Sequence, residues 1–268
     1  MAAVPQSASS PQGDPLVTVA RDGGVVRLTL NRPAQFNALS EDLMRAVQAE
    51  LERVAGDPSA RVVVIGGAGK AFCAGHDLRE MRANPSHDYY RALFAQCARM
   101  MVTIQQLPQP VIARVHGIAT AAGCQLVAMC DLAVASADAR FAVSGVNLGL
   151  FCSTPAVALS RNLSRKAAFE MLVTGEFIDA PTAAARGLVN RVVAPEALDA
   201  EIERLAASIC AKPPVAIAAG KALFYRQLEM GIDAAYQLAG QTMACNMMDE
   251  SALEGVQAFI EKRPPDWK

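Results

Sequence analysis

The sequence lacks the features that identify nucleic-acid-binding, metal-binding and membrane-spanning proteins. Its 268 residues carry a formal net charge of −1, so no basic surface for a nucleic acid is indicated. The three histidines, His76, His87 and His116, do not have the spacing of metal ligands. No uncharged apolar run reaches the roughly 18 residues that a membrane helix needs. We therefore expect no membrane span, no metal and no redox cofactor.

Cysteine usage and the N-terminal segment both bear on location. The chain has seven scattered cysteines, an odd number without a C-x-x-C pair, which predicts reduced and buried thiols in a cytosol-like compartment. Residues 1–14, MAAVPQSASSPQGD, are rich in Ala, Ser, Pro and Gln and contain neither Arg nor an apolar run. They predict a disordered tail rather than a signal or transit peptide, and the sequence favours the cytoplasm.

Short apolar strands alternate with amphipathic helices along most of the chain. Such alternation is typical of βαβ units, so we predict a mixed α/β core over residues 15–200. Ser40 suits a helix N-cap, and Gly187 is placed to end a helix. Beyond about residue 194 the pattern is almost wholly helical, which predicts a helical C-terminal region over residues 201–268. Strands are predicted at 25–30, 62–65, 111–115, 132–135 and 188–193, helices at 41–55, 89–107 and 123–130, and a turn at 117–122.

Two segments of small residues, 72–77 and 120–125, each follow a predicted strand and precede a helix. Backbone N–H groups at a helix N-terminus have no partner within the helix, and the helix dipole adds partial positive charge there. Either turn alone is more typical of close packing than of catalysis. Two such turns that face one point would form a pair of donors for a developing oxyanion.

Several motifs together resemble the crotonase (enoyl-CoA hydratase/isomerase) superfamily, over residues 16–267. The resemblance implies a spiral of ββα units with a helical C-terminal trimerisation region, and the binding of acyl-CoA thioesters. Segments 119–127 and 145–155 also resemble one particular subgroup of the superfamily. The motifs are Asn31-Arg32-Pro33, Asn37-Ala38-Leu39-Ser40, Phe72-Cys73-Ala74-Gly75-His76-Asp77-Leu78, His116-Gly117 through Asp131, Thr174-Gly175-Glu176 and Glu261-Lys262-Arg263.

The resemblance assigns roles to individual residues. The backbone N–H groups of His76 and Ala122 would hold the thioester carbonyl oxygen, and Asp77 would begin a helix rather than act as an acid. Lys262 is equally well explained as a solvated terminal charge, whereas Asn37 is better explained as a turn residue than as a ligand. The CoA moiety of the substrate, the only cofactor group implied, would run past Gln35, Phe36, Ala38, Ala74, His76, Asp77 and Leu78, with Phe259 and Lys262 at its nucleotide end.

The resemblance also bears on assembly and location. It implies a homotrimer or a dimer of trimers, and we interpret the helix with Met243, Met247 and Met248 as a subunit interface. Related proteins can be mitochondrial, so the mitochondrial matrix is the alternative to the cytoplasm.

Both acid/base groups of the superfamily's hydratases are missing. Those enzymes use two glutamates, and the aligned positions here are Gln125 and Gly145, neither of which can exchange a proton near neutral pH. The leading prediction is a lyase of the enoyl-CoA hydratase type that acts on acyl-CoA thioesters but shows weak or absent classical hydration. Two alternatives remain open: a malonyl-type CoA decarboxylase, which needs an enolate stabilised at the thioester but no strong base, and a non-catalytic acyl-CoA binder. Ser144, Asn147, Cys152, Ser153 and the ring of His76 are candidate replacements, each more simply explained by packing or local hydrogen bonds.

Overall fold

The computed structural model describes residues 14–267, so the tail predicted at residues 1–14 lies, apart from Asp14, outside the described residues. Nine strands and eleven α-helices are found in that range. The strands are β1 Val17–Asp22, β2 Val25–Leu30, β3 Val62–Gly67, β4 Val111–Val115, β5 Ile118–Thr120, β6 Leu132–Ser136, β7 Arg140–Ala142, β8 Ile178–Asp179 and β9 Arg191–Val193. The helices are α1 Glu41–Ala55, α2 Leu78–Ala83, α3 His87–Gln106, α4 Ala122–Met129, α5 Ser153–Asn162, α6 Arg165–Thr174, α7 Ala180–Ala185, α8 Leu198–Cys210, α9 Pro214–Gln227, α10 Ile232–Met247 and α11 Glu250–Glu261.

The strands form two sheets that place the candidate site. The larger sheet has the order β1-β2-β3-β4-β6-β9, and all its pairs are parallel except β1–β2, which is a hairpin. Parallel neighbours require crossover connections, and helices supply them here. The smaller sheet has the order β5-β7-β8. Since β5 leads directly into α4, the smaller sheet fixes where that helix begins.

The larger sheet is buried on both faces, and β3 shows how. Alternate residues of a strand point to opposite faces. Val63 and Ile65 join the main core with α1 and α3, whereas Val62 and Val64 join a second cluster with Leu198 and its neighbours on α8. A strand that is buried on both sides reads as a continuous apolar run, which is the pattern in the sequence.

Helices α9–α11 present an apolar surface rather than an apolar core. Among their described residues only Lys221, Ala235 and Ala258 are buried. Tyr236 is 73% exposed and Phe259 is 85% exposed. Single exposed apolar side chains are ordinary, but a series on three consecutive helices is typical of an interaction surface.

A buried ion pair fastens α9 to the core. The Nζ of Lys221 donates to Asp131 Oδ2 at 2.6 Å and to the carbonyl oxygens of Ile104 and Gln109, both at 2.9 Å. The hydroxyl of Tyr225 donates to the other oxygen of Asp131 at 2.7 Å. Burial lowers the pKa of Lys221, and the neighbouring carboxylate opposes that shift. The pair thus joins the C-terminal helices to the ends of α3 and α4.

Several sequence predictions are confirmed by the structure. Strands Val25–Leu30 and Val111–Val115 have the predicted bounds. Ser40 caps α1, because its side chain accepts the N–H of Leu43 at 3.2 Å. Gly187 follows α7 with a φ of 88°, as expected of a residue that ends a helix. The region beyond residue 194 is helical, and no helix within residues 14–267 is long and apolar enough to cross a membrane.

Other predictions are wrong in detail. The turn predicted at 117–122 contains β5, and α4 begins one residue earlier than predicted, at Ala122. The strand predicted from residue 188 begins at Arg191, and the helix predicted from residue 89 begins at His87. All seven cysteines are free, but Cys210 is half-buried and Cys245 is exposed, so not every thiol is buried. The division of the chain at residue 200 stays a prediction.

Candidate active site

A buried asparagine fixes the loop between β2 and α1. Asn37 is fully buried and has a φ of 54°, a conformation that asparagine tolerates better than most residues. Its Oδ1 accepts the N–H of Arg32 at 2.9 Å. Its Nδ2 donates to the carbonyl oxygens of Ala68 at 2.9 Å and Ala71 at 2.8 Å. The side chain therefore ties this loop to the segment that follows β3.

The turn at 72–77 directs one backbone N–H away from that loop. Gly75 has a φ of 90°, and its carbonyl oxygen accepts the N–H of Leu39 at 2.7 Å. The carbonyl oxygen of Leu39 in turn accepts the N–H of Asp77 at 3.1 Å. In a trans peptide the C=O and N–H point in opposite directions. Since the Gly75 carbonyl points at Leu39, the N–H of His76 points away from it.

The turn at 120–125 also directs one backbone N–H outward, at the start of α4. Ala121 has a φ of 50° and a ψ of −121°, a strained conformation for a residue with a Cβ. Its N–H donates to the carbonyl oxygen of Ala142 at 2.9 Å, and its carbonyl oxygen accepts the N–H of Gln125 at 3.0 Å. Because that carbonyl points along the helix, the N–H of Ala122 points out of the helix N-terminus.

The two turns pack directly against each other. A methyl group placed on Gly75 would lie 3.2 Å from the backbone nitrogen of Ala122 and 2.9 Å from the Cβ of Ala121. With standard bond lengths, the nitrogens of His76 and Ala122 are therefore at most about 7 Å apart. Gly123 is equally constrained, since a methyl group there would lie 2.1 Å from the carbonyl oxygen of Cys73. One oxygen can accept hydrogen bonds from both nitrogens when they lie within about 6 Å of each other, a separation that falls inside this upper limit.

Gln125 occupies the same helix face as Ala122, one turn later. Helical side chains lean toward the helix N-terminus, so its amide extends toward the second turn. The residue is only 4% exposed, and its Oε1 has no hydrogen-bond partner within residues 14–267. A neutral amide can hold a ligand group or a water molecule, but it cannot transfer a proton near neutral pH.

Gly145 has no space for a side chain. A methyl group there would lie 2.7 Å from both the Leu150 carbonyl oxygen and the Cys152 Sγ. The N–H of Gly145 also donates to that sulfur at 3.3 Å. The segment 145–152 therefore folds back over Gly145, and the chain itself closes the position at which the second acid is predicted.

Ser144 and Asn147 are engaged in local hydrogen bonds. The hydroxyl of Ser144 lies 3.2 Å from the hydroxyl of Thr120. Asn147 is exposed, and its Nδ2 donates to the carbonyl oxygen of Gly175 at 3.4 Å. The partners found within residues 14–267, a hydroxyl for Ser144 and a backbone carbonyl for Asn147, would not make either side chain an acid or a base.

Cys152 and Ser153 are also held locally. Burial raises the pKa of the Cys152 thiol, and the N–H of Gly145 opposes that shift. A thiol with a raised pKa is a poor nucleophile. The hydroxyl of Ser153 donates to the carbonyl oxygen of Phe151 at 3.3 Å. These contacts agree with the structural interpretation of both residues.

The His76 side chain is a neutral imidazole. Burial lowers its pKa to about 4, and the backbone of Leu39 opposes the shift. Both ring nitrogens are buried without a partner at hydrogen-bonding geometry among the described residues. The ring packs edge-on against Phe94, with the ring centres 5.5 Å apart. At neutral pH it adds no positive charge beside the backbone N–H.

Asp77 begins α2, as expected. Its Oδ1 accepts the N–H groups of Arg79 at 3.1 Å and Glu80 at 3.3 Å, and its Oδ2 accepts a hydrogen bond from Arg32 at 3.0 Å. With both oxygens engaged, the carboxylate is unsuited to act as a general acid.

The residues predicted to contact CoA fall into two regions. Gln35, Phe36 and Leu78 are exposed beside the first turn, and Ala38 and Ala74 are half-buried there. Phe259 and Lys262 belong to the other region, on α11 and at its end. A cavity of about 340 Å³ there is lined by α9–α11 residues, including Phe259, and by Trp267. Neither this cavity nor two others, of about 550 and 400 Å³, is lined by His76, Ala122, Gln125 or Gly145.

Two features of the site escaped the sequence analysis. Arg32 belongs to the Asn31-Arg32-Pro33 motif, but its contact with Asp77 was not predicted. The strained φ of Ala121 carries no signal in the sequence, because alanine is not enriched at positive φ.

No group of three or more His, Cys, Asp or Glu side chains in the described chain could hold a metal ion.

Comparison with known sequences places these motifs in a family. The sequence model of the family described as enoyl-CoA hydratase/isomerase matches residues 20–268. The mitochondrial enoyl-CoA hydratase domain-containing protein 3 of Xenopus laevis is 46% identical over 261 residues, which cover 97% of this chain and 89% of that protein. The Homo sapiens protein of the same name is 42% identical over 264 residues, covering 98% and 87%.

Solved structures agree with the sequence relatives. An enoyl-CoA hydratase from Mycobacterium smegmatis superposes with a TM-score of 0.94 at 67% identity, covering 95% of this chain and 99% of that chain. Human enoyl-CoA hydratase domain-containing protein 3 gives a TM-score of 0.92 at 41% identity, covering 94% and 100%. These matches confirm the predicted crotonase-type α/β fold and the resemblance to one subgroup.

Proposed function

This chain belongs to the enoyl-CoA hydratase/isomerase family, whose members act on acyl-CoA thioesters, and we propose that it binds an acyl-CoA thioester without hydrating 2-enoyl groups. The thioester carbonyl oxygen is held by the backbone N–H groups of His76 and Ala122. The CoA moiety passes Gln35, Phe36, Ala38 and the other predicted contacts. No cofactor beyond that moiety is needed.

One observation carries this proposal: the two turns retain their N–H donors, while both acid/base positions lack a carboxylate. The His76 and Ala122 N–H groups point away from their own hydrogen-bonded loops, and the turns that bear them are in contact. Donors fixed before the ligand arrives stabilise negative charge on a carbonyl oxygen without reorganisation. Addition of water also needs a base and an acid, and Gln125 and Gly145 supply neither.

Decarboxylation of a malonyl-type thioester is the second candidate. Loss of carbon dioxide leaves an enolate, which the same two N–H donors would stabilise, and no strong base is required. The observation that favours it is the intact donor pair beside a site without carboxylates. Cys152 presents a buried thiol, a weak hydrogen-bonding group that does little to orient a second carboxylate, which weighs against this candidate.

A non-catalytic acyl-CoA binder is the third candidate. Each hydroxyl or thiol that could replace the missing acids is buried or locally hydrogen-bonded. A site that binds thioesters and carries no proton-transfer group would sequester acyl-CoA rather than convert it.

Mass spectrometry of the protein with an acyl-CoA panel separates these candidates. The panel contains trans-2-enoyl, 3-enoyl, malonyl-type and saturated thioesters of short and medium length. Gain of one water would refute the proposal. Loss of carbon dioxide would select the decarboxylase. Binding without turnover would support the non-catalytic acyl-CoA binder. Failure to bind any thioester would refute thioester recognition itself.

Self-association and location belong to the same proposal. The exposed apolar side chains of α9–α11, Met243, Met247 and Met248 among them, support a homotrimer or dimer of trimers, which analytical ultracentrifugation would test. The vertebrate relatives are named as mitochondrial proteins, which supports the matrix alternative over the cytoplasm.

A further inference from the structure

Arg32 connects the two segments that hold the first turn. Its Nη1 donates to the carbonyl oxygen of Ala38 at 2.6 Å, and its Nη2 donates to Asp77 Oδ2 at 3.0 Å. The Arg32 and Asp77 side chains are only 18% and 14% exposed. A paired and largely buried guanidinium is held in one geometry, unlike an ion pair in open solvent.

These contacts lie on both sides of the bonds that set the direction of the His76 N–H. Ala38 immediately precedes Leu39, whose N–H donates to Gly75 and whose carbonyl accepts from Asp77. Asp77 immediately follows His76. A shift of one segment relative to the other would therefore rotate the Gly75–His76 peptide, and with it the N–H.

Asp77 is itself fixed at its second oxygen. Its Oδ1 caps α2 by accepting the N–H groups of Arg79 and Glu80. The guanidinium is thus anchored to a rigid helix end on one side and to the backbone before Leu39 on the other. Lysine presents a point charge with no planar fork, so it could not hold both partners in this geometry.

We propose that Arg32 and Asp77 are positioning residues that direct the His76 N–H toward a bound thioester carbonyl, and so set selectivity for thioesters over ligands without that carbonyl. The inference rests on the proposed thioester binding. It concerns how the first donor is oriented, and neither side chain touches the thioester.

The test compares hexanoyl-CoA with S-hexyl-CoA, in which a methylene replaces the carbonyl. Isothermal titration calorimetry gives the dissociation constant of each ligand for the wild type, Arg32→Lys and Asp77→Asn. Asparagine keeps the acceptor that caps α2 but loses the charge that pairs with Arg32. Arg45→Lys is the matched control, because Arg45 forms an ion pair with Asp42 that is exposed on α1.

For the wild type we expect hexanoyl-CoA to bind about tenfold more tightly than S-hexyl-CoA, a difference of about 1.4 kcal/mol for two backbone hydrogen bonds to the carbonyl. In Arg32→Lys that ratio should fall toward one, while the affinity for S-hexyl-CoA stays unchanged. In Asp77→Asn the ratio should also fall toward one, because any loss of a CoA contact at Asp77 weakens both ligands equally and leaves the ratio unaffected. Arg45→Lys should keep the wild-type ratio. Circular dichroism and thermal unfolding check that each variant is folded.

Other results would overturn the inference. An unchanged ratio in both folded variants would show that the pair does not direct the donor. An equal loss of affinity for both ligands would show a general structural or CoA-binding role. If the wild type itself bound both ligands equally, or neither, the proposed thioester site would fail, and that failure is visible before any variant is made.

Discussion

At the scale of single residues, Gln125 combines burial with an unsatisfied acceptor. An unpaired buried oxygen of this kind costs about 1–3 kcal/mol. Methionine has similar length and no such atom, so Gln125→Met should raise the free energy of unfolding by about 1 kcal/mol in urea denaturation. Gln48→Met is the control, because the Gln48 amide donates to Glu52 and Thr103. Lower stability of Gln125→Met, measured in the same way, would contradict the view that the buried Gln125 oxygen lacks a hydrogen-bond partner.

Gly145, the predicted position of the second acid, leaves no room for a side chain to be restored. Any Cβ there meets the Leu150 carbonyl oxygen and the Cys152 sulfur. We expect Gly145→Ala to lower the free energy of unfolding by about 1–3 kcal/mol, as overpacking does. Gly220→Ala, within α9 and with no atom near its Cβ, should be stabilising by about 0.5–1 kcal/mol.

The comparison of these two alanine variants decides whether the space at Gly145 is closed to a side chain. If Gly145→Ala were as stable as the wild type, the segment 145–152 could move, and a glutamate there could be accommodated. On the present account, Gln125→Glu combined with Gly145→Glu would not yield a hydratase, because the segment blocks the second side chain.

At this scale the sequence indicates which residue types occupy the site but not what surrounds them. The assignment of the two missing glutamates to Gln125 and Gly145 rests on the motifs and stays a prediction. The closure of the space at Gly145 could not be predicted, because it depends on Leu150 and Cys152 folding back. Likewise, nothing in the sequence indicates the direction of the His76 N–H, which is set by a pairing between distant segments.

At the scale of secondary structure, the start of α2 responds to pH through Asp77. Burial alone would raise its pKa, but the Arg32 hydrogen bond and the N–H groups of Glu80 and Arg79 outweigh burial and hold the pKa below the usual 3.8. Since the folded state has the lower pKa, the stabilisation is present above the unfolded pKa and is lost as the pH falls through the folded value.

The prediction is a pH-dependent difference between the wild type and Asp77→Asn. The wild type should be the more stable at neutral pH in denaturant titrations, and the difference should shrink as the pH is lowered below 3.8. Asp42→Asn, at an exposed surface pair on α1, should show a smaller difference throughout. A difference between wild type and Asp77→Asn that did not change with pH would contradict the charge-based role.

Elements with strong local signals were predicted, and elements that depend on distant partners were not. Val111–Val115 is a branched apolar run between prolines and a glycine, and its bounds were predicted correctly. By contrast, β5, β7 and β8 have two or three residues each and are defined by pairing with one another. So short a strand has no period that a sequence can display.

At the scale of the whole molecule, Lys221 and Asp131 hold the C-terminal helices on the core. Replacing Lys221 with Met would leave the Asp131 carboxylate buried without its cation. Breaking a buried pair in this way typically costs about 3–5 kcal/mol. We expect a loss of that order for Lys221→Met in chemical denaturation.

A neighbouring residue provides the control for that prediction. Lys212→Met, just before α9, lacks a buried carboxylate partner among the described contacts and should change stability little. A small effect of Lys221→Met would show that the pair does not fasten α9 to the core, and that other contacts do.

In the proposed site, two backbone donors hold a thioester where no acid or base can act on it. The most direct measurement is an infrared difference spectrum of trans-2-hexenoyl-CoA with a ¹³C-labelled carbonyl, mixed with excess protein. We predict a carbonyl band shifted to lower frequency, as two hydrogen bonds require, and a C=C band that persists. An unshifted carbonyl band, or loss of the C=C band as water adds, would contradict the claim.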